Sequence, residues 1–564
     1  MARPNVDDAR KALSAPGSYF ELTEQDVRGV SMAVFAHRLR SMTELLEQSA
    51  RFPDRVALVD GGTRIDFGTQ LHWVRQIAVT LQRRFAIRTG DRVAIYAANR
   101  WEWAIAFWAI VKVGAIPSAY NGLWTTEEVT HASSLVKPAL IIGDGARLAR
   151  LDEPTTDAVR AIPRLDLDEF RLLLEENRGS EPDPVKVTED DPAVLIFTSG
   201  TTGRAKAVST PHRGILGFLQ ASTYGETLAR MVMTGIDAPR VGDTLPLADD
   251  VVLVTSPLFH TSALYGAILR GVMKGTTVVL LPGRFDAERV LQTIEDERVT
   301  SWLALGSAAP RACAVPDAAR YDTSSLVHIG VGGAPVSPAV QEAIRATFPG
   351  VRQSLTMGYS STEAVSVVAS IGGAEFLTHP TSTGRPAVNV EIELRDGTGV
   401  PVAEGELGEV HVRSPYLMLG YWDDPEASAA VLKPGGWLAM GDLGRLVDGR
   451  LYIESRARDL ILVSAENVTP TEVEYRLEAH PDVIEAAVFA VDDPMTGDAV
   501  CAVVVAGEGS NLTAEDLAEW CRASLARYKV PTQWHVWHES LPRNATGKLL
   551  KAEIRSRALQ SVVA

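Results

Sequence analysis

Hydroxyls, glycines and a lysine are gathered in one short run, Thr198-Ser199-Gly200-Thr201-Thr202-Gly203, with Lys206 three residues on. Glycines let successive backbone N–H groups turn toward one point, and the hydroxyls add further donors. Such a concave set of donors beside an ammonium suits a polyphosphate. The spacing is not that of a Walker A loop, because no Gly-Lys-Ser/Thr closes it. A flexible polar linker is the plain alternative. Against it stands the apolar run Ala193 to Phe197, which reads as a buried strand delivering the loop.

Other reactive groups are more scattered. Met357-Gly-Tyr-Ser-Ser-Thr-Glu-Ala364 offers Glu363, a hard oxygen ligand of the kind Mg²⁺ takes together with phosphate oxygens. The same run reads as a helix start, with Ser361 or Thr362 as cap and Glu363 favourable to the dipole, and the two readings are compatible. His260 follows the strand-like Val251 to Thr255; alone it reads equally as a half-buried, hydrogen-bonded histidine. Asp442, between Gly441 and Leu443, is on its own a turn residue. Trp302 to Pro310 mixes one large ring with small residues, which fits either a roomy pocket or tight helix contact.

The elements that must position these groups alternate. Strands are expected at 55–60, 90–97, 138–144 and 251–256, with helices from Met42 and over 101–113. Alternation of this kind implies a largely parallel sheet covered by helices, with ligands beyond the strand C-termini. The most membrane-like run, Trp103 to Tyr120, carries Lys112 and Pro117, so it reads as a buried helix and strand. Residues 1 to about 40 read as a polar lead-in, and 217–250 as a weakly patterned loop or lid. Past about 458 a helix, two strands and a second helix make a small α+β domain.

At 564 residues the chain exceeds one core. Its net charge of −16 argues against nucleic acid or an anionic membrane as main partner. Cys313, Cys501 and Cys521 have no metal-ligand spacing and suit a reducing cytoplasm. The N-terminus has no apolar signal core, and no transmembrane segment is expected.

Taken in order, the motifs resemble the acyl-adenylate-forming superfamily, which includes acyl-CoA synthetases, firefly luciferase and peptide-synthetase adenylation domains. The loop resembles its Thr-Ser-Gly-Thr-Thr-Gly-x-Pro-Lys-Gly signature, with Ala205 and Ala207 as departures; Ser360 likewise replaces a glycine in its Tyr-Gly-x-Thr-Glu motif. The resemblance implies an α/β protein: a large N-terminal domain (1–457) of helix-covered, mainly parallel sheets plus a small mobile C-terminal α+β domain (458–564). It implies an ATP-dependent ligase that joins a hydrophobic carboxylic acid, medium-chain, long-chain or polycyclic, to CoA through an acyl-adenylate, with Mg²⁺.

By the same resemblance Gly333, Ala334, Pro335, Gly358, Tyr359 and Ser360 hold adenine, and Thr362 bonds the α-phosphate. Glu363 binds the metal, while Asp442 and Arg456 take the ribose. His260, Trp302, Gly306, Gly330 and Gly332 line the acid pocket, Arg458 is the hinge, and Ala465 and Glu466 flank the CoA path. Ala465 stands where relatives carry glycine, and Arg458 where they carry Asp or Lys. Lys548, after Leu541-Pro-Arg-Asn-Ala-Thr-Gly, is implied to bridge carboxylate and nucleotide. Solvated surface charge is the alternative for Arg456, Arg458 and Lys548 taken singly. An acyl-AMP ligase loading a carrier protein and a non-catalytic nucleotide-binding relative remain the competing readings; a homodimer is compatible with all three.

Overall fold

The computed structural model describes residues 4–560 except 153–154, 200–203, 244–249, 282, 366, 465, 494, 508 and 545–546. Two large sheets dominate. One orders its strands Gly420–Tyr421, Ala205–Pro211, Pro192–Ser199, Ile116–Ala119, Arg92–Tyr96, Leu140–Gly143 and Arg164–Asp166, parallel except that Ala205–Pro211 runs antiparallel to both its neighbours. The other runs from Arg385–Pro386 through Val367–Gly372, Leu355–Ser360, His328–Gly332, Ser301–Leu305, Val251–Val254 and Thr277–Leu280 to Val56–Asp60 and Thr63–Asp66. Its middle six strands are parallel. The helix Trp101–Lys112 is apolar on all sides because it is covered on all sides: Trp103, Phe107 and Trp108 are wholly buried in the main core. No helix among the described residues is long and apolar enough to cross a membrane.

A smaller antiparallel sheet follows, with Trp437–Val447 paired to Arg450–Arg456. The C-terminal unit packs the Pro470–Glu478 and Ala514–Arg522 helices on a sheet of Val483–Asp493, Gly497–Ala506, Gln533–Trp537 and the short strands Ile461–Val463 and Glu466–Val468. The expected α/β class, mainly parallel large domain and small α+β unit are all present.

Two stretches differ from expectation. Residues 4–40 are no loose lead-in: helix Val6–Ser14 and hairpin Leu22–Val27/Val30–Phe35 bury Ala9, Leu13, Phe20 and Phe35 against Tyr224 and Met231. The 217–250 region starts inside a 23-residue helix, His212–Thr234. Its apolar stripe is diluted by Gly, Ser and Thr, so the 3.6-residue period is faint in sequence.

Candidate active site

The described cavity that gathers most of the candidate residues is a cleft of about 2740 Å³ between the two large sheets and the C-terminal unit. At its nucleotide end, strands Pro192–Ser199 and Ala205–Pro211 form an antiparallel pair in which Thr198 stands opposite Lys206. Gly200, Thr201, Thr202 and Gly203 lie outside the described residues, as does the Ser199 side chain. Lys206 reaches over the Tyr421 ring, 4.9 Å from its centroid. Tyr421 also donates its hydroxyl to Glu363 Oε1 at 2.9 Å. It thereby ties the loop lysine to the carboxylate, a role no sequence motif marked. Glu363, Thr362 and Ser361 line the cleft, and Ser361 Oγ caps the turn by accepting from Ala364 N at 3.1 Å.

Asp442 stands opposite Arg456 in the strand pair, and its Oδ1 lies 3.5 Å from Arg456 Nε. Its Oδ2 accepts the Tyr359 hydroxyl at 2.6 Å. Burial, then the Asp442 charge, pushes the Tyr359 pKa well up, so the phenol stays a donor. Tyr359 is thus a support for Asp442 rather than a residue facing the cleft, while its neighbours Gly358 and Ser360 do face it.

Lys548 is delivered by a braced loop of the small unit. Asn544 N donates to Lys548 O at 2.9 Å, and Lys548 N donates to the side-chain Oδ1 of Asn544 at 3.0 Å; Arg543 donates to Gly547 O at 2.8 Å and pairs with Glu485. Gly547 has φ +81, and a Cβ there would sit 3.5 Å from Gly306 Cα and 3.3 Å from Ser307 N. Glycine therefore allows both the turn and the close approach to the large domain. Lys548 shares the cleft with Arg456, Arg458 and Asp442. Burial first, and then the Arg456 charge, lowers its pKa to about 8.

The acid end is less charged. His260 lines it, with Nδ1 3.0 Å from Ser262 Oγ, and burial lowers its pKa to about 4, leaving the ring neutral. Gly330, Gly332 and Gly333 face the cleft. Trp302 does not. On Ser301–Leu305 the side chains alternate: Leu303 and Leu305 face the cleft, whereas Trp302 packs on Phe348 in a separate core and donates to Thr255 Oγ1 at 3.0 Å. Gly306 is likewise off the lining, at the strand end beneath Gly547. Ala334 and Pro335 have passed beyond the lining. Glu466 is exposed on the small unit and outside the cleft, and Ala465 lies outside the described residues.

Glu363, joined through Tyr421 to the loop lysine Lys206, suits Mg²⁺, which usually keeps few protein ligands and takes the rest from phosphate and water.

The chain matches the family model described as AMP-binding enzyme over residues 45–422, and the AMP-binding enzyme C-terminal domain over 472–548. It is 32% identical to a (methyl-dioxo-octahydro-indenyl)propanoyl:CoA ligase of Rhodococcus jostii, across 90% of this chain and 97% of that protein. Feruloyl-CoA synthase of an Amycolatopsis species is also 32% identical, across 90% of this chain and 96% of that one. Among solved structures it is similar to the o-succinylbenzoate CoA synthetase of Bacillus subtilis bound to its acyl-adenylate. There the TM-score is 0.75 at 27% identity, covering 92% of this chain and 98% of that one. The chain belongs to the AMP-binding enzymes of the acyl-adenylate-forming superfamily, among the AMP-forming acid–thiol ligases.

Proposed function

We propose that the protein activates a carboxylic acid with an apolar ring body as its acyl-adenylate and passes the acyl group to CoA. The observation that carries this reading is the convergence on one cleft of Lys548 from the small unit with Lys206, Glu363, Asp442 and Arg456 from the large one. A carboxylate is a poor acyl donor, because its leaving group would be oxide. Attack of its oxygen on the α-phosphorus of ATP forms the acyl–phosphate anhydride and breaks the bond to pyrophosphate.

Asp442 accepts from the ribose hydroxyls, as two vicinal donors require. The neutral His260 stands beside the carboxylate without adding charge. Lys548, cationic at neutral pH, bridges carboxylate and α-phosphate and offsets the charge that develops there. Glu363 holds Mg²⁺, which when bound supplies charge neutralisation at the phosphate oxygens.

The units divide near 457/458, and Arg458, 56% exposed in the short turn Ala457–Asp459, is the hinge. Rotation there withdraws Lys548 and opens a route for the thiol, whose sulfur attacks the acyl carbon and expels AMP. Similarity to ligases named for ring-bearing acids supports a ring over a simple chain.

The test is pyrophosphate release with a panel of ring and straight-chain acids, followed by capture with CoA or a phosphopantetheinyl carrier side by side. Acid-dependent release with thioester formed on CoA is expected. Release captured only by the carrier would replace the CoA reading with the carrier-loading one, and no acid-dependent release would leave nucleotide binding alone.

A further inference from the structure

Between Met418 and Trp422 the chain makes a short bridge that touches both sides of the nucleotide end. Met418 N donates to Glu363 O at 3.0 Å, Leu419 N to Ser209 O at 2.8 Å and Trp422 N to Ala207 O at 2.7 Å. Gly420–Tyr421 is thereby laid as an antiparallel edge on Ala205–Pro211, with Tyr421 opposite Val208. Ser428 closes the bridge from behind: its Oγ accepts from Tyr421 N at 2.8 Å and donates to Asp424 O at 2.7 Å. Gly420 has φ +146, and a Cβ there would sit 2.9 Å from that Oγ, so glycine is what lets the two segments meet.

With its backbone fixed, Tyr421 uses both ends of its side chain. Lys206 stands two residues before Val208, hence on the same face and diagonal to Tyr421, within reach of an aromatic partner. Its Nζ lies 4.9 Å from the centroid of the Tyr421 ring, whose hydroxyl donates to Glu363 Oε1 at 2.9 Å. All three residues line the cleft. A neutral phenol has one hydrogen to give, so it engages one carboxylate oxygen and leaves Oε2 for a metal. It brings no charge, so the carboxylate keeps its full attraction for a divalent cation. The ring treats the lysine alike, holding the ammonium by its quadrupole without neutralising it. Among the described residues no carboxylate pairs with Lys206.

Glu363 needs a hold from outside because of the turn it stands on. Ser361 Oγ accepts from Ala364 N at 3.1 Å, and Val365 N donates to Thr362 O at 3.1 Å. Val365 adopts φ +60, a left-handed conformation that a β-branched residue rarely takes. Such a turn persists only where its surroundings fix it. Met418 does so at the Glu363 backbone and Tyr421 at the Glu363 carboxylate.

We propose that Tyr421 is a positioning residue that couples the metal site to the phosphate loop: its hydroxyl presents Glu363 to Mg²⁺ through a single oxygen, and its ring keeps the Lys206 ammonium uncompensated for the triphosphate that the metal accompanies. It acts through those two groups. A hydrogen bond that orients a metal ligand in this way is worth about 10–100-fold in metal affinity. The inference rests on the nucleotide half of the ligase reading, in which Glu363 takes the metal and Lys206 the phosphates.

The test is calorimetric titration of the full chain with ATP in the absence of acid, once in excess Mg²⁺ and once in EDTA. The ratio of the two affinities reads the metal. Tyr421→Phe keeps the ring and removes the hydroxyl; it should cut that ratio about tenfold and leave the affinity in EDTA within about twofold of wild type. Tyr421→Leu removes both and should also weaken ATP in EDTA about threefold. In a Glu363→Gln background Tyr421→Phe should change the ratio by less than about twofold, because the hydroxyl works only through that carboxylate. A Tyr421→Phe ratio equal to that of wild type would overturn the inference, and so would a loss of the same size in the Glu363→Gln background. If wild type binds ATP equally in Mg²⁺ and EDTA, the metal assignment and the inference fall together. Mg²⁺-dependent binding and acid-dependent pyrophosphate release in wild type, with Tyr421→Phe unchanged, would remove the inference alone and leave the ligase reading standing.

Discussion

At the nucleotide end of the cleft the working groups are charged and come from separate turns and strands; at the acid end most groups are neutral or apolar and stand on strand faces, and the charged Glu226 of the wall helix His212–Thr234 is paired with Arg270 and Lys274. Lys206, Glu363, Asp442, Arg456 and Lys548 come from distant segments and meet because three strands, a turn and one loop of the small unit share a rim. Leu303, Gly330, Thr356 and His328 are neighbours through register alone. The contrast has a physical basis. Charged groups at strand ends can stay partly solvated until the nucleotide arrives, as the 43% exposure of the Arg456 side chain allows. The acid end has to give its apolar surface to the ligand, so its polar groups are held in pairs, as Glu226 is by Arg270 and Lys274.

Four changes would break or sharpen that contrast. The largest effect is expected at Trp302, which the contrast places behind the acid floor. Trp302→Ala should cost about 3–5 kcal/mol of stability, measured by denaturant unfolding, while leaving the ranking of acids unchanged. A reordered ranking would put it back in the pocket. Next, Glu363→Gln should slow adenylate formation about 100-fold, read as pyrophosphate release at saturating ATP, with acid binding by calorimetry untouched.

Asp442→Asn comes third and should raise the KM for ATP about tenfold, through the loss of a charged acceptor. A matching change in the KM for the acid would mean that the two ends are not separate. The smallest effect is on pH. The Lys548 pKa is lowered to about 8, so its cation predominates below that value and is lost as pH rises through it. Bound triphosphate should draw the proton back, so ATP binding near pH 8 to 9 should take up a proton and weaken as pH rises through that window, by up to about tenfold per unit. Calorimetry in buffers of different ionisation enthalpy would read the uptake.

Part of the nucleotide end was legible in the residues themselves, because a loop lysine, a metal-suited carboxylate and an isolated late lysine carry type-specific chemistry and line one cleft, while the loop glycines Gly200 and Gly203 lie outside the described residues. Tyr359 was legible only as a motif position, and Tyr421 carried no signal of its own. Their work, holding Asp442 and Glu363, depends on strands far apart in the chain. The acid end was harder. Trp302 and Leu303 are adjacent in sequence, and a period of two sends one to the core and the other to the cleft. Which face is which is set by the neighbouring sheet and not by composition. The helix that walls the acid end was missed for a related reason: its cleft face is built from Ser222, Gly225 and Glu226, which thin the apolar stripe that marks a helix.

The central claim is that a lysine carried by the small unit serves only the first half of the reaction. Lys548→Ala should be assayed in both halves: adenylate formation by hydroxamate trapping with ATP and acid, and thioester formation from synthetic acyl-adenylate and CoA. The account predicts loss of the first by about 100-fold or more with the second near wild type. Equal loss in both halves, or an unimpaired first half, would contradict it.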